Sequence, residues 1–357
     1  MTAAHDASAV RLQACFRGVL ARRKNPLNGY DWYDEPPFRL STADDAAADD
    51  DADTEDSSPG LIYRSVSVDL FGDAQPTPVI QVGGHGILKK AKDTTDCLTK
   101  EVPHCEVLAY ESVQGTPLEG IFAEYIKHEH FGALYTVTLR DMTAGMARPC
   151  VMDIKIGKRT FLESEVKKQE LRVNLAKKMV DIDPTALTEE EQRTGITKLR
   201  YMQFREQRSS SASFGFRVEG ATARGYGYPN CKDIQSGAQI SNALHFFVQS
   251  RAALKTAYVQ RLEEMRALLS ESDWFMRHEV VGSSILFVYD DGARGDRETP
   301  ITTAAARMID FAKTEQLPDD ARLTHTADWE LGNREEGYLT GLDNLISLFK
   351  DLDVSDD

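Results

Sequence analysis

No stretch of about 18 consecutive apolar residues occurs in the 357 positions of this chain, so no hydrophobic membrane span is expected. Cysteine is sparse, and none of Cys15, Cys97, Cys105, Cys150 and Cys231 forms a C-x-x-C pair or stands with histidine at zinc-ligand spacing. Neither a disulfide framework nor a structural metal is expected, and the thiols read as reduced. Residues Met1 to Val10 lack the apolar core of a secretory signal, which makes a cytoplasmic or nuclear protein the expectation. Basic residues are outnumbered, with 42 Lys and Arg against 57 Asp and Glu, and the net charge of −15 argues against a nucleic-acid partner.

The charge that is present is unevenly spread. Residues 25 to 60 hold eleven acids against one base, Arg39, with Pro36, Pro37 and Pro59 and little apolar surface after Tyr33, the composition of a disordered tether. Residues 148 to 178 carry nine Lys or Arg against Asp153, Glu163, Glu165 and Glu170, so an anionic ligand can be met there. At the start, Val10, Ala14, Phe16 and Leu20 recur among five cationic side chains, which predicts a short basic amphipathic helix over 1–24, ended by Asn25-Pro26. Folded structure is expected from near Leu61.

From Leu61 to Thr143 the runs VIQVG, CEVLAY and ALYTVTL read as short strands with one helical stretch among them, a small sheet-based lobe. Farther on, Leu162, Val166, Val173, Ala176 and Val180 recur at helical spacing. A second helix over 251–269 places Leu254, Ala257, Tyr258, Leu262, Met265 and Leu269 on one stripe. FGFRV, SILFVYD and RMIDFA read as further strands. The fold class is α+β in two lobes, with the cleft between them as the expected ligand site.

In Pro149–Gly157 (PCVMDIKIG) a strand would put Asp153 and Lys155 on one face and Met152, Ile154 and Ile156 on the other. An isolated D-x-K is more often a solvated ion pair. Here the opposite face is apolar and Gly157 closes the strand, which lets backbone and cation come close to a phosphate. The segment resembles the P-x-x-x-D-x-K-x-G signature of the inositol polyphosphate kinase family. SSSASFGFRVEG, HEVVGSSILFVYD, RMIDFAKT and GNREEGYLTGLDNLI resemble its remaining blocks in order, so the resemblance spans about 79 to 350. The stretches VDIDPTALTEEEQRTGITKLRYMQFREQ and HTADWELGNREEGYLTGLDNLI look most like the inositol 1,4,5-trisphosphate 3-kinase branch.

That resemblance implies a kinase-like fold with an ATP-binding N-lobe over 61–145 and a catalytic C-lobe over 146–357, the latter carrying a helical inositol-phosphate-binding insertion over 161–207. It implies ATP and Mg²⁺ as cofactors. Lys89, with Lys90 as fallback, would bind the triphosphate; backbone groups of Thr138 to Met142 and the acidic Asp141 would form the adenine hinge; Asp310 would hold the metal, assisted by Ser283 and Ser284. Lys155 would contact the γ-phosphate and the inositol hydroxyl, and Asp153 would serve either as base or as a ribose ligand. Lys198, Tyr201 and Arg205, at i, i+3 and i+7, would line one helix face toward the substrate phosphates, with Lys168 and Arg172 one turn apart beside them. Tyr201 reads equally well as a core aromatic.

Three departures from the branch stand out: a shorter glycine turn in VGGHGILKK, Thr222 and Ala223 where a lysine is expected, with Arg224 as a substitute, and Leu199 in place of proline. They leave two rivals open, a multikinase or hexakisphosphate kinase and a catalytically silent calmodulin-binding protein of the same fold. Leu12, Gln13, Arg17, Gly18 and Arg22 fit the IQ pattern by which calmodulin grips a basic helix, against a helix that packs on its own domain or on acidic lipid.

Overall fold

The computed structural model describes residues 89–90, 96–131, 134–292 and 303–354. Its N-lobe is built from β1 (Lys89–Lys90), β2 (Cys97–Val102), α1 (His104–Val113), β3 (Tyr125–Phe131) and β4 (Leu134–Arg140). The strands form one antiparallel sheet in the order β1-β2-β4-β3. CEVLAY, expected as a strand, lies inside α1. Pro103 ends the ladder because it has no N–H to donate, and it stands at the helix N-cap. Val107, Tyr110 and Val113 then bury one helical face, a pattern that an apolar run of this length does not distinguish from a strand.

The C-lobe begins with β5 (Pro149–Ile156), followed by the helices α2 (Glu163–Val166), α3 (Val173–Ile182), α4 (Glu189–Thr194) and α5 (Lys198–Gln207). After the short α6 (Ser211–Phe214) come β6 (Phe216–Ala223), β7 (Tyr226–Gly227), α7 (Gly237–Val248), α8 (Ala252–Glu271) and α9 (Asp273–Met276). The chain continues through β8 (His278–Val280), β9 (Ser284–Asp290), β10 (Ala305–Ile309), β11 (Thr314–Gln316) and α10 (Tyr338–Lys350). The main sheet runs β10-β9-β5-β6-β7 and is antiparallel throughout, with β8 and β11 paired apart from it.

One face of that sheet packs on α7, α8 and α10. Met152, Ile154 and Ile156 of β5 and Ile285, Phe287 and Tyr289 of β9 point into this core. Leu254, Tyr258, Leu262, Met265 and Leu269 of α8 meet them at helical spacing, each fully buried apolar side chain contributing about 1.5–3 kcal/mol. The alternate residues face the cleft. The lobes are stitched there by Ala123, whose amide donates to the Met308 carbonyl at 2.9 Å, and by the stacked rings of Phe122 and Phe311, 4.4 Å apart.

The helical periodicity from Leu162 to Val180 is interrupted: residues 167–172 are not helical, so Lys168 and Arg172 do not share a helix turn. Arg172 instead pairs through its backbone with Ile196. Gly195, at φ 89°, lies so close that a Cβ there would be 2.6 Å from the Arg172 carbonyl carbon. The insertion has a small core of its own, formed by Leu175, Ala176, Met179, Leu187, Ile196, Tyr201 and Phe204. Among the described residues no helix is long and apolar enough to cross a membrane.

Candidate active site

On the cleft face, β5 presents Val151, Asp153 and Lys155. By register, Ser284, Leu286 and Val288 of β9 lie on the same face, as do Ala305, Arg307 and Ile309 of β10. Chain order along β10 then brings Asp310 to the cleft directly after Ile309. Its φ of 64° is left-handed, a conformation that Asp tolerates better than most residues and that often marks a functional position. The neighbouring Phe311 is clamped by N-lobe aromatics, stacked on Phe122 and edge-on to Tyr110 at 5.2 Å. The Cys105 thiol also donates to the Ala312 carbonyl at 3.1 Å, so α1 grips the turn that carries Asp310.

The lysine that reaches this turn is Lys100, which the sequence reading passed over. Its Nζ lies 2.6 Å from Asp310 Oδ1 and 3.0 Å from Glu106 Oε1. Burial works to lower the Lys100 pKa, but the two carboxylates outweigh it and hold the ammonium protonated well above its ordinary range. Burial, together with the Asp310 charge, raises the Glu106 pKa against the pull of Lys100. A strand lysine paired with a helix glutamate beside a metal-holding aspartate is the device by which protein kinases grip a triphosphate. Lys89 lies on the adjoining strand β1, and its side chain is outside the described residues. Lys100 was missed because β2 looks like an ordinary amphipathic strand; only its pairing across 210 positions to Asp310 sets it apart.

Asp153 is buried, and neither of its carboxylate oxygens has a hydrogen-bond partner. Burial, with the charges of Glu219 and Asp310 nearby, raises its pKa to about 8 against the attraction of Lys155. From the ordinary carboxyl value of 3.8 up to about 8, the unfolded chain has released a proton that the fold keeps, so stability falls as pH rises through that window. Asp153→Asn is therefore expected to stabilise the nucleotide-free protein by a few kcal/mol at pH 8, with the gain shrinking toward pH 5. Urea denaturation at the two pH values measures it; equal stability of variant and parent at pH 8 would rule out the buried, unpartnered carboxyl.

Lys155 lies 3.4 Å from Glu219 Oε1, which also accepts from Arg217 at 2.7 Å. The two cations outweigh burial and hold the Glu219 carboxyl well below the usual carboxylate range. The Gly157 amide, expected to be available to phosphate, is taken: it donates to the Gly215 carbonyl at 2.7 Å. Gly341 allows this approach, because a Cβ there would sit 1.9 Å from the Gly215 oxygen. The three glycines set the end of the strand behind Lys155.

The Ser283 and Ser284 hydroxyl oxygens are buried without partners, and with Asp153 they form a set of polar atoms that a bound metal–nucleotide would satisfy. Among the described residues no three His, Cys, Asp or Glu side chains form a ready metal cage. Asp141 caps the turn after β4: its Oδ1 accepts from the Thr143 amide at 2.9 Å and hydroxyl at 2.6 Å. The Thr138 and Leu139 positions pair with strands on both sides, and the Arg140 and Asp141 amides donate to the Glu124 and Asp96 carbonyls at 2.9 and 2.8 Å. Beside that turn Met142, Met146, Val151, Leu286, Val288 and Ala305 form a small apolar cluster, a platform the sequence did not reveal.

In the insertion, Lys198 begins α5 and lies 3.5 Å from Glu165 Oε2. The other oxygen of Glu165 meets Lys313, from the segment after Asp310, at 2.7 Å. Two ammonium groups thus converge on one carboxylate between the insertion and the turn of Asp310, and Lys313 was not singled out in the sequence. The Tyr201 ring belongs to the insertion core, and its hydroxyl accepts from Arg205 at 3.4 Å. Lys168 is exposed in the 167–171 segment. Thr222 is sheet interior, paired with Val151, while Arg224 stands at the next turn, 4.0 Å from Asp291. The IQ-like residues Leu12 to Arg22 lie outside the described residues.

The inositol polyphosphate kinase family model matches residues 136–350, more than half of the chain. The chain belongs to the inositol polyphosphate kinase family. Its members include relatives of high similarity: rat inositol-trisphosphate 3-kinase A is 40% identical over 280 residues, covering 76% of this chain and 59% of the rat protein. The Caenorhabditis elegans inositol-trisphosphate 3-kinase homolog is 35% identical over 316 residues, covering 86% and 62%. Human inositol hexakisphosphate kinase 3 is 25% identical over 244 residues, covering 60% and 50%. This family member therefore spans about three-fifths of the length of these two 3-kinases. A crystal structure of an inositol phosphate multikinase from S. cerevisiae with ADP and Mn2+ aligns at TM-score 0.49 and 17% identity, covering 71% of this chain and 98% of that one.

Proposed function

We propose that the chain is an ATP-dependent kinase that phosphorylates the 3-hydroxyl of inositol 1,4,5-trisphosphate, giving inositol 1,3,4,5-tetrakisphosphate. The observation that carries the reading is the meeting of Lys100, Asp310, Asp153 and Lys155 at one cleft beside a helical insertion that brings Lys198 toward it. The similarity to proteins named inositol-trisphosphate 3-kinase supports the choice of acceptor.

In this reading the base of ATP lies on the Met142–Val151–Val288 platform, and Lys100 and Asp310 face the triphosphate. Mg²⁺ held by Asp310 with Ser284 beside it supplies neutralisation of the phosphate charge when bound. Lys155 faces the γ-phosphate. Lys198, Arg205 and Lys313, with the Tyr201 hydroxyl, hold the inositol phosphates, displacing Glu165 from its two lysines. The inositol hydroxyl oxygen bonds to the γ-phosphorus while the bond to the β,γ-bridging oxygen breaks and ADP leaves. Asp153, with a pKa of about 8 before nucleotide binds, is suited to accept the hydroxyl proton.

The test is incubation of the full chain with ATP, Mg²⁺ and a panel of soluble inositol phosphates, followed by chromatographic identification of product isomers. Conversion of the trisphosphate to the 1,3,4,5 isomer in preference to other acceptors is the expected result. Diphosphate formation on the hexakisphosphate would overturn the acceptor, and absence of any transfer would overturn the enzyme. Calmodulin as a partner belongs to the same proposal and rests on the sequence pattern at Leu12, Gln13, Arg17, Gly18 and Arg22.

A further inference from the structure

The insertion and the catalytic strand are joined by a buried carboxylate that the reaction itself does not use. Glu206 lies in the last turn of α5, next to Arg205. Its Oε1 accepts from the Thr160 amide at 2.7 Å and from the Thr160 hydroxyl at 3.1 Å. Thr160 belongs to the segment by which the chain leaves β5, five positions after Lys155. That segment is a fixed point of the C-lobe. The Gly157 amide donates to Gly215, and the Lys158 amide donates to the Glu336 carbonyl at 2.7 Å. The Arg159 guanidinium donates to Glu279 and to the Arg334 carbonyl, both at 2.7 Å, and to the Glu335 carbonyl at 3.0 Å. The last turn of α5 is therefore bonded to an anchored backbone through the Glu206 side chain.

Keeping that side chain buried is unfavourable. Burial pushes the Glu206 pKa up to about 7 in spite of the two Thr160 bonds and the fields of Arg217 and Arg159. A helix that needed only to pack could bury an apolar residue there at lower cost. A carboxylate oxygen taking two donors sets a distance and a direction, which an apolar contact does not.

We propose that Glu206 is a positioning residue: through Thr160 it sets where α5, with Lys198 and Arg205, stands relative to the strand that carries Asp153 and Lys155. The inference rests on the reading of α5 as the helix that holds the substrate phosphates. Because the tie acts on the acceptor side, its loss misplaces the inositol hydroxyl and leaves the ATP side, built on Lys100 and Asp310, in place.

Steady-state kinetics of the full chain with ATP, Mg²⁺ and inositol 1,4,5-trisphosphate, for the parent, Glu206→Ala, Glu206→Gln and Thr160→Val, test this. Glu206→Ala is expected to raise KM for the inositol phosphate and lower kcat, together roughly ten- to hundredfold in kcat/KM, with KM for ATP unchanged. The glutamine carbonyl accepts the same two bonds, so Glu206→Gln restores most of the loss. Thr160→Val removes only the hydroxyl donor and gives a smaller effect of the same kind, which keeps the test available if Glu206→Ala fails to fold. Parent-like kinetics in Glu206→Ala or, where it does not fold, in Thr160→Val, equal rises in both KM values, or a glutamine variant no better than alanine would overturn the proposal. A parent chain with no inositol phosphate turnover would instead overturn the underlying reading, and that is seen before any substitution is made.

Discussion

Lys155→Ala is expected to lower turnover of the inositol phosphate by at least about a thousandfold while the chain folds as before. The two halves of that expectation have separate causes. Lys155 is the cation on the cleft face of β5, beside Asp153, where it can follow charge from the γ-phosphate into the transition state. Its removal leaves no orphan, because Glu219 keeps Arg217 at 2.7 Å. Thermal denaturation and single-turnover phosphoryl transfer check the two halves. Near-parent turnover, or loss of the fold, would refute the assignment.

Lys100→Met is expected to remove activity and also to destabilise the protein by about 3–5 kcal/mol, because Glu106 and Asp310 would be left as facing, poorly hydrated carboxylates. The double variant Lys100→Met with Glu106→Leu removes one of the two stranded charges. It is expected to regain much of the stability and none of the turnover, since a triphosphate still lacks its cation. Denaturant titration of both variants beside turnover and nucleotide-binding assays separates the effects. Recovery of activity in the double variant would show that Lys100 serves the fold and not the nucleotide.

The strand of the D-x-K-x-G segment was legible because alternation is local: Asp153 and Lys155 share a face whatever the strand packs against. The stripe of α8 was legible for the same reason, its buried positions recurring over five turns. CEVLAY was misread because six residues do not separate two periods, and the arbiter was the burial of Val107, Tyr110 and Val113 against a sheet formed by distant strands. Lys89 was named and Lys100 passed over because both stand on short strands eleven positions apart, and nothing local says which one meets Asp310. Tyr201 fits both of its readings at once, with its ring in the insertion core and its hydroxyl beside Arg205. Lys313 and Glu206 carry no local mark; one acquires meaning from Lys198 across the cleft, the other from Thr160 behind the strand.

By itself the sequence determined the α+β pattern, the order of the family's blocks and the chemistry available on β5, because propensity, periodicity and residue type act over a few neighbouring positions. Which lysine meets Asp310, which amide donates to Gly215 and which carboxylate ties the insertion to the strand were decided only by the tertiary structure. Ion pairs and hydrogen bonds depend on distances of a few ångströms between residues that the chain order keeps far apart, and those distances exist only once the chain has packed.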